Sequence, residues 1–210
     1  MSCTLAALPD TSPKRTAILK AGAQLFMASG YANVSMDAVA KEAGVSKATL
    51  YAYFSGKEAL FAAIVGERCT AIASESEEMA SHADSTDGAL RELGRVWIRF
   101  LMSPQSLAIH RTVIAECTRF PDLAQAFYES GPGRGRAWLG RRLGEAQQQG
   151  KLRADADPLV AADHLVGLIR GDLYMQAMLG GPVPDEAAMD AVVDSAVDVF
   201  LRAYGVPSRR

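Results

Sequence analysis

Very little in this chain is suited to building a sheet. Only 7% of its residues are aromatic, and no alternating run of Val, Ile and Thr is long enough to line one face of a strand, as a half-buried strand requires. Cysteine is scarce as well: Cys3, Cys69 and Cys117 are isolated, odd in number and without metal-ligand spacing. That pattern excludes a disulfide scaffold or a zinc module and fits a reducing compartment. No segment offers the roughly 20 consecutive apolar residues of a membrane helix, and residues 1–13 lack the basic start and apolar centre of a secretion signal. A soluble, cytoplasmic protein with no membrane partner is expected. The formal net charge of −2 argues against a nonspecific coat on nucleic acid.

Catalytic signatures are missing too. The three histidines, His82, His110 and His164, form no H-E-x-x-H motif, and there is no phosphate-binding loop, dinucleotide fingerprint or G-x-S-x-G elbow. His110 and His164 each lie near an apolar stripe, as interior histidines or pocket walls do. The chain therefore reads as non-enzymatic, with no cofactor and no bound metal.

What is present is helical grammar. With 210 residues, 49% of them hydrophobic, the chain can bury one good core or a small domain beside a larger one. Alanine is abundant, and the glycines and prolines fall mostly between segments of helical period, which predicts an all-α protein. Charge divides unevenly: residues 1–68 sum to +2 and the remainder to −4. A mildly basic head on an acidic body suits a nucleic-acid module joined to a different kind of domain.

The most informative stretch runs from Ser35 to Lys57. Ser35 and Ser46 stand where two short helices begin, and Val34 with Val39 and Val45 with Leu50 occupy the positions of hydrophobic staples. Gly44 supplies the turn between them, and Ser55 with Glu58 makes a capping-box pattern for a third helix. Helix, glycine turn and helix is the form of a helix-turn-helix. In its second helix Leu50 and Phe54 are spaced to face inward. That leaves Lys47, Ala48, Thr49, Tyr51, Ala52 and Tyr53 around the other sides, a small, polar and aromatic surface that suits a major groove and its phosphates.

The wording of this region, from Ile18-Leu-Lys-Ala-Gly-Ala-Gln-Leu-Phe26 through Gly30-Tyr31, Val39-Ala40, Ala43-Gly-Val-Ser46, Thr49-Leu-Tyr51, Phe54 and Lys57, resembles the TetR family of bacterial transcriptional regulators. The resemblance implies an operator-binding dimer released from DNA when a small molecule enters the C-terminal domain. It places Lys47, Ala48 and Ala52 toward bases, and Ser35, Thr49, Tyr51, Tyr53 and Lys57 toward phosphates. Ala52 is smaller than the side chain often found at its position, leaving Lys47 as the principal base reader.

The remaining chain repeats breaker, cap and amphipathic run. Residues 1–12 read as a flexible arm, 13–60 as the DNA-binding domain and 61–210 as a helical effector-binding and dimerisation domain. Pro13 opens a first helix expected to end at Gly30, and a long helix from the capping box is expected to reach about residue 80. Further helix starts fall at Pro104, Pro121, Asp157-Pro158 and Asp185-Glu186, with Gly131-Pro-Gly133 as a break between two helices. Arg111 with Glu116, or Arg119, is a candidate internal ion pair. The last two helices, about 157–179 and 185–203, are apolar over wide arcs and are expected to form a four-helix dimer interface, with Gly167 and Gly171 permitting close approach. Trp97, Phe100, Met102, His110, Phe127, Tyr128, Trp138, His164, Tyr174, Met175 and Met178 are the candidate pocket residues. Residues 111–128 loosely resemble AefR- and AcrR-like members, implying an apolar or amphipathic effector and control of an efflux operon. Two alternatives stay open: a regulator of this kind without a small-molecule effector, and a helical protein of another function.

Overall fold

The computed structural model describes residues 12–206; of the arm expected at residues 1–12, residues 1–11 lie outside the described residues. The fold is all-α. Its elements are α1 (Pro13–Asn33), α2 (Met36–Glu42), α3 (Lys47–Tyr53), α4 (Lys57–Ser81), α5 (Thr86–Met102), α6 (Pro104–Glu116), α7 (Pro121–Ser130), α8 (Pro132–Gln148), α9 (Pro158–Met178) and α10 (Glu186–Tyr204). The chain divides into two compact units, residues 1–64 and 65–210.

In the first unit each helix start has its own cap. Ser12 Oγ accepts from the Arg15 amide, Ser35 Oγ from Ala38 and Ser46 Oγ from Thr49, satisfying donors that have no partner inside the helix. Gly30 interrupts α1 with φ 74° and ψ 161°, a region open in practice only to glycine. The chain thereby leaves the helix where the sequence marked its end, and Tyr31 is thrown inward. Tyr31 is fully buried, stacks on Phe26 at 5.5 Å and meets Phe61 edge-on at 5.6 Å. Gly44, at φ 66°, makes the turn between α2 and α3. The capping box at Ser55 is not built as expected. The helix α4 opens one residue later, with the Gly56 carbonyl accepting from Leu60 N–H, and Glu58 Oε1 instead accepts from the Tyr31 hydroxyl at 2.8 Å.

The second unit has a core of leucine, isoleucine, valine and alanine from α5, α6, α8, α9 and α10, centred on Leu139, Leu165, Ile169, Val193, Val197 and Phe200. Arginines along α5 clasp acids on α10: Arg91 reaches Asp194 at 3.0 Å and Asp198 at 2.6 Å, and Arg95 reaches Asp194 at 3.1 Å. Two expectations change. The break at Gly131-Pro-Gly133 shrinks to Gly131 alone, because Pro132 opens α8 at once with its fixed backbone angle. Gly171 is a kink, with φ 47° inside α9, rather than a simple gap for a neighbouring helix. No helix among the described residues is long and apolar enough to cross a membrane.

Candidate nucleic-acid interface and effector region

Burial sorts the faces of α3. Leu50 is fully buried and Phe54 nearly so, as are Phe26 and Val39 within the same unit, while Val45 is half-buried. Lys47, Ala48, Tyr51 and Ala52 stand exposed, with Thr49 and Tyr53 half-buried beside them. A seven-residue helix cannot hold itself in water; the inward anchors Leu50 and Phe54 and the Ser46 cap fix its orientation and so fix what the outer face presents.

The polar groups of this face differ in how freely they can act. Tyr51 is 45% exposed, and its hydroxyl makes no hydrogen bond among the described residues. Tyr53 Oη lies 2.8 Å from Ser12 Oγ, and Thr49 Oγ1 lies 2.8 Å from Ser46 Oγ. Ser35 is exposed and retains its hydroxyl proton while its oxygen caps α2. Lys47 Nζ lies 2.8 Å from Asp37 Oδ1 and 3.1 Å from Oδ2, and the hydrogen bond and charge of Asp37 raise the lysine pKa above its ordinary value.

Lys57 has a use that competes with the expected phosphate contact. Its ammonium donates to the carbonyls of Tyr31 at 2.8 Å, Val34 at 3.0 Å and Ala32 at 3.5 Å, and stands 4.3 Å over the Tyr31 ring. These are the carbonyls stranded where α1 ends beyond Gly30, so the lysine closes that end as a cation at a helix C-terminus.

The candidate effector residues fall into separate groups. His110 meets Phe127 edge-on at 5.1 Å and Tyr174 at 6.0 Å, and Arg170 lies 5.5 Å over the Tyr174 ring. Burial lowers the His110 pKa, with the Arg170 charge acting in the same direction and the hydrogen bond to the Ser106 carbonyl opposing. Burial raises the Tyr174 phenol. Trp97 stacks on Trp138 at 6.1 Å, and the Trp138 indole N–H donates to Glu77 at 2.8 Å. Phe100 lies under Arg68 at 5.8 Å. Met102 is buried core, Met178 is half-buried, and Tyr128 and Met175 are exposed. His164 is exposed and hydrogen-bonded to the Tyr204 hydroxyl, between the start of α9 and the end of α10. Arg111 does not pair with Glu116; it donates to the carbonyls of Ala177 and Met178 at the end of α9. Arg119 lies over the Phe120 ring at 5.1 Å.

Sequence reasoning missed Asp37 as a partner of Lys47, Glu58 as a partner of Tyr31, and Arg170 altogether. Asp37 and Lys47 are ten residues apart across a turn, a spacing with no periodic signature. Arg170 looks like any arginine on a mostly apolar helix. Among the described residues the buried side-chain atoms Ser76 Oγ, Trp97 Nε1 and Arg170 Nε lack hydrogen-bond partners. Among the described residues no group of three or more His, Cys, Asp or Glu could hold a metal ion.

Two family models match separate stretches of the chain. Residues 18–64 match the family model described as bacterial regulatory proteins, tetR family, and residues 88–206 match that of the AefR-like transcriptional repressor, C-terminal domain. The chain is similar to the HTH-type transcriptional regulator UidR of Escherichia coli (strain K12), with 28% identity over 167 residues, 78% of this chain and 82% of that one. Among solved structures it is similar to a TetR-family transcriptional regulator from Mesorhizobium loti MAFF303099, with 31% identity, TM-score 0.79, and 92% and 97% of the two chains covered. It is also similar to the flavonoid-responsive regulator FrrA, with 36% identity, TM-score 0.74, and 93% and 98% covered.

Proposed function

The chain belongs to the TetR family of DNA-binding transcriptional regulators, and from that membership we propose that it is a dimeric repressor released from a pseudo-palindromic operator by a small amphipathic effector. The observation that carries the DNA half is the sorting of α3: Leu50 and Phe54 are buried, while Lys47, Ala48, Tyr51 and Ala52 face solvent on a helix capped at its start. Lys47, Ala48 and Ala52 face the bases, and Ser35, Thr49, Tyr51 and Tyr53 face the phosphates. Lys57 acts by holding the end of α1 and the start of α4 together beneath them. Direct readout rests mainly on Lys47, with DNA shape supplying the rest.

The dimer reading is supported by an open stripe on α9. Val160, His164, Gly167, Gly171 and Met175, with Leu179 just past the helix end, recur at intervals of three and four and are all exposed. On α10, Ala187, Ala191, Ser195 and Val199 are exposed as well. Two such surfaces on a two-fold axis form an isologous interface. It would set two α3 helices into successive major grooves about 34–36 Å apart. The effector reading is supported by the aromatic residues gathered in the second unit and by the flavonoid response named for FrrA.

A salt-titrated gel shift on DNA upstream of the gene tests the whole. The expected result is two chains per site, affinity falling steeply with salt, and release on adding an amphipathic ligand. Absence of any preference for that DNA over unrelated duplex would refute the operator reading, and a single chain per site would refute the dimer.

A further inference from the structure

Six arginines of the second unit have an acid beside them: Arg91, Arg95, Arg99, Arg136, Arg142 and Arg153 each reach a carboxylate. Arg170 on α9 does not. Among the described residues no carboxylate lies within ion-pair distance of it, and its Nε is buried with no hydrogen-bond partner. An aromatic cluster lies beside it. The guanidinium stands over Tyr174, whose ring also receives the edge of His110, and His110 in turn packs on Phe127.

His110 cannot answer the charge. Its Nδ1 lies 2.7 Å from the Ser106 carbonyl; since a carbonyl only accepts, Nδ1 carries the proton and Nε2 of the neutral ring is an acceptor. The cluster on α6, α7 and α9 thus holds a cation, a neutral imidazole and a neutral phenol, with no counter-charge. Arg170 as a whole is half-buried, but a guanidinium Nε buried without a partner costs free energy, and a bound anion would recover it through a charge-assisted hydrogen bond.

We propose that Arg170 is the anion-binding residue of the effector site and receives the carboxylate of an amphipathic organic acid, whose apolar body rests on Phe127 and Tyr174. This rests on the effector reading above and narrows it to a chemical class. Arg170 orients and selects; the aromatic rings supply apolar contact to either an acyl or an aryl body.

The test uses the full chain and two matched probe pairs, decanoate with decanol and 2-naphthylacetate with 2-(2-naphthyl)ethanol, titrated calorimetrically. At least one acid should bind tighter than its alcohol by about tenfold or more, as expected for a hydrogen-bonded charge. Arg170→Met should erase that preference while leaving the alcohol within about twofold. Arg170→Lys should keep part of it. If Arg170→Met loses helicity, Arg170→Gln serves the same comparison. Equal binding of acid and alcohol, an acid preference that survives loss of Arg170, or no binding of either acid up to about 1 mM would each overturn the inference. The two readings fail separately. Arg170-dependent acid binding that leaves operator DNA bound would refute effector release and keep the subsite; release by both alcohols and acids, unchanged in Arg170→Met, would refute the subsite and keep effector release.

Discussion

Lys47 at the start of α3 and Asp37 at the start of α2 are joined by an ion pair of 2.8 Å, with both side chains more than 60% exposed. An exposed pair of this kind adds little to stability; its effect is on what DNA meets. A carboxylate beside the proposed base reader would repel phosphate and hold the lysine back until a better acceptor displaces it. Lys47→Ala should cost on the order of 1–3 kcal/mol on the operator and relax one base position, as a direct contact does. Asp37→Asn should tighten binding to unrelated duplex more than to the operator, so the specificity ratio falls. Fluorescence anisotropy on both DNAs reads each result, and equal weakening of both by Lys47→Ala would make Lys47 a phosphate contact.

Lys57 and Tyr51 should separate scaffold from contact. Lys57→Met removes a cation from the carbonyls of Tyr31, Ala32 and Val34 and should lower stability by about 1–2 kcal/mol, the range for a hydrogen bond to a charged group discounted for partial exposure. The slope of log affinity against log salt should stay the same. Tyr51→Phe removes a hydroxyl with no partner among the described residues and should leave the melting temperature alone while weakening operator binding. A flattened salt slope in Lys57→Met would restore that lysine to the phosphate set.

Lys57 and Glu58 mark where the sequence stops being readable. Helix starts were legible because their signals are local: Ser35, Ser46, Ser103, Asp157 and Asp185 each cap the helix expected of them. The inward turn of Leu50 follows from helical period alone, whereas Phe54 is buried from an extended position just past the end of α3. The fate of Lys57 depends on carbonyls more than twenty residues earlier in the chain, and that of Glu58 on the Tyr31 hydroxyl. Pairings at such separations leave no periodic trace. The same holds for the candidate effector residues, of which helical faces gathered eleven, whereas packing brings His110, Phe127 and Tyr174 together and places His164 beside Tyr204 instead.

Gly94 sets the approach of α5 to its neighbours. A Cβ built there would stand 2.6 Å from Cγ1 of Val193 and 3.5 Å from Ile169. Val193 is fully buried and branched at Cβ, so it cannot swing away. Gly94→Ala should destabilise the second unit by about 1–3 kcal/mol, the usual cost of overpacking a core. Denaturant unfolding checks it, and a neutral or stabilising result would mean that α5 can shift along α10 despite the arginine–aspartate clasp.

Burial holds His110 neutral in the folded chain, with its pKa below the ordinary value near 6.5. Below that pH the unfolded chain takes up a proton that the folded chain resists, so the unfolded state is favoured. The stabilising contribution is therefore present above about 6.5 and declines as pH falls toward the lower folded-state pKa. Between pH 7.5 and 5.5 the wild type should lose more thermal stability than His110→Gln, which cannot titrate. Parallel curves for the two proteins would show that carboxylates, not His110, govern the acid limb.

Gly167 allows the dimer to be tested without harming the fold. A Cβ there meets nothing within 4 Å, and the residue lies on α9 in the open stripe between Val160 and Met175. Replacing a helical glycine by arginine improves helix propensity by several tenths of a kcal/mol or more, so Gly167→Arg should leave each chain folded and as stable locally as before. Across a two-fold interface the same change sets two guanidinium groups against each other in a close helix crossing. Sedimentation should show the wild type as a dimer and Gly167→Arg as a monomer with unchanged helicity. Operator affinity should then fall by on the order of 10²-fold, because the second half-site is no longer reached intramolecularly, while Lys47 and Tyr51 remain in place on each head. A Gly167→Arg chain that still sediments as a dimer would move the interface off this face of α9.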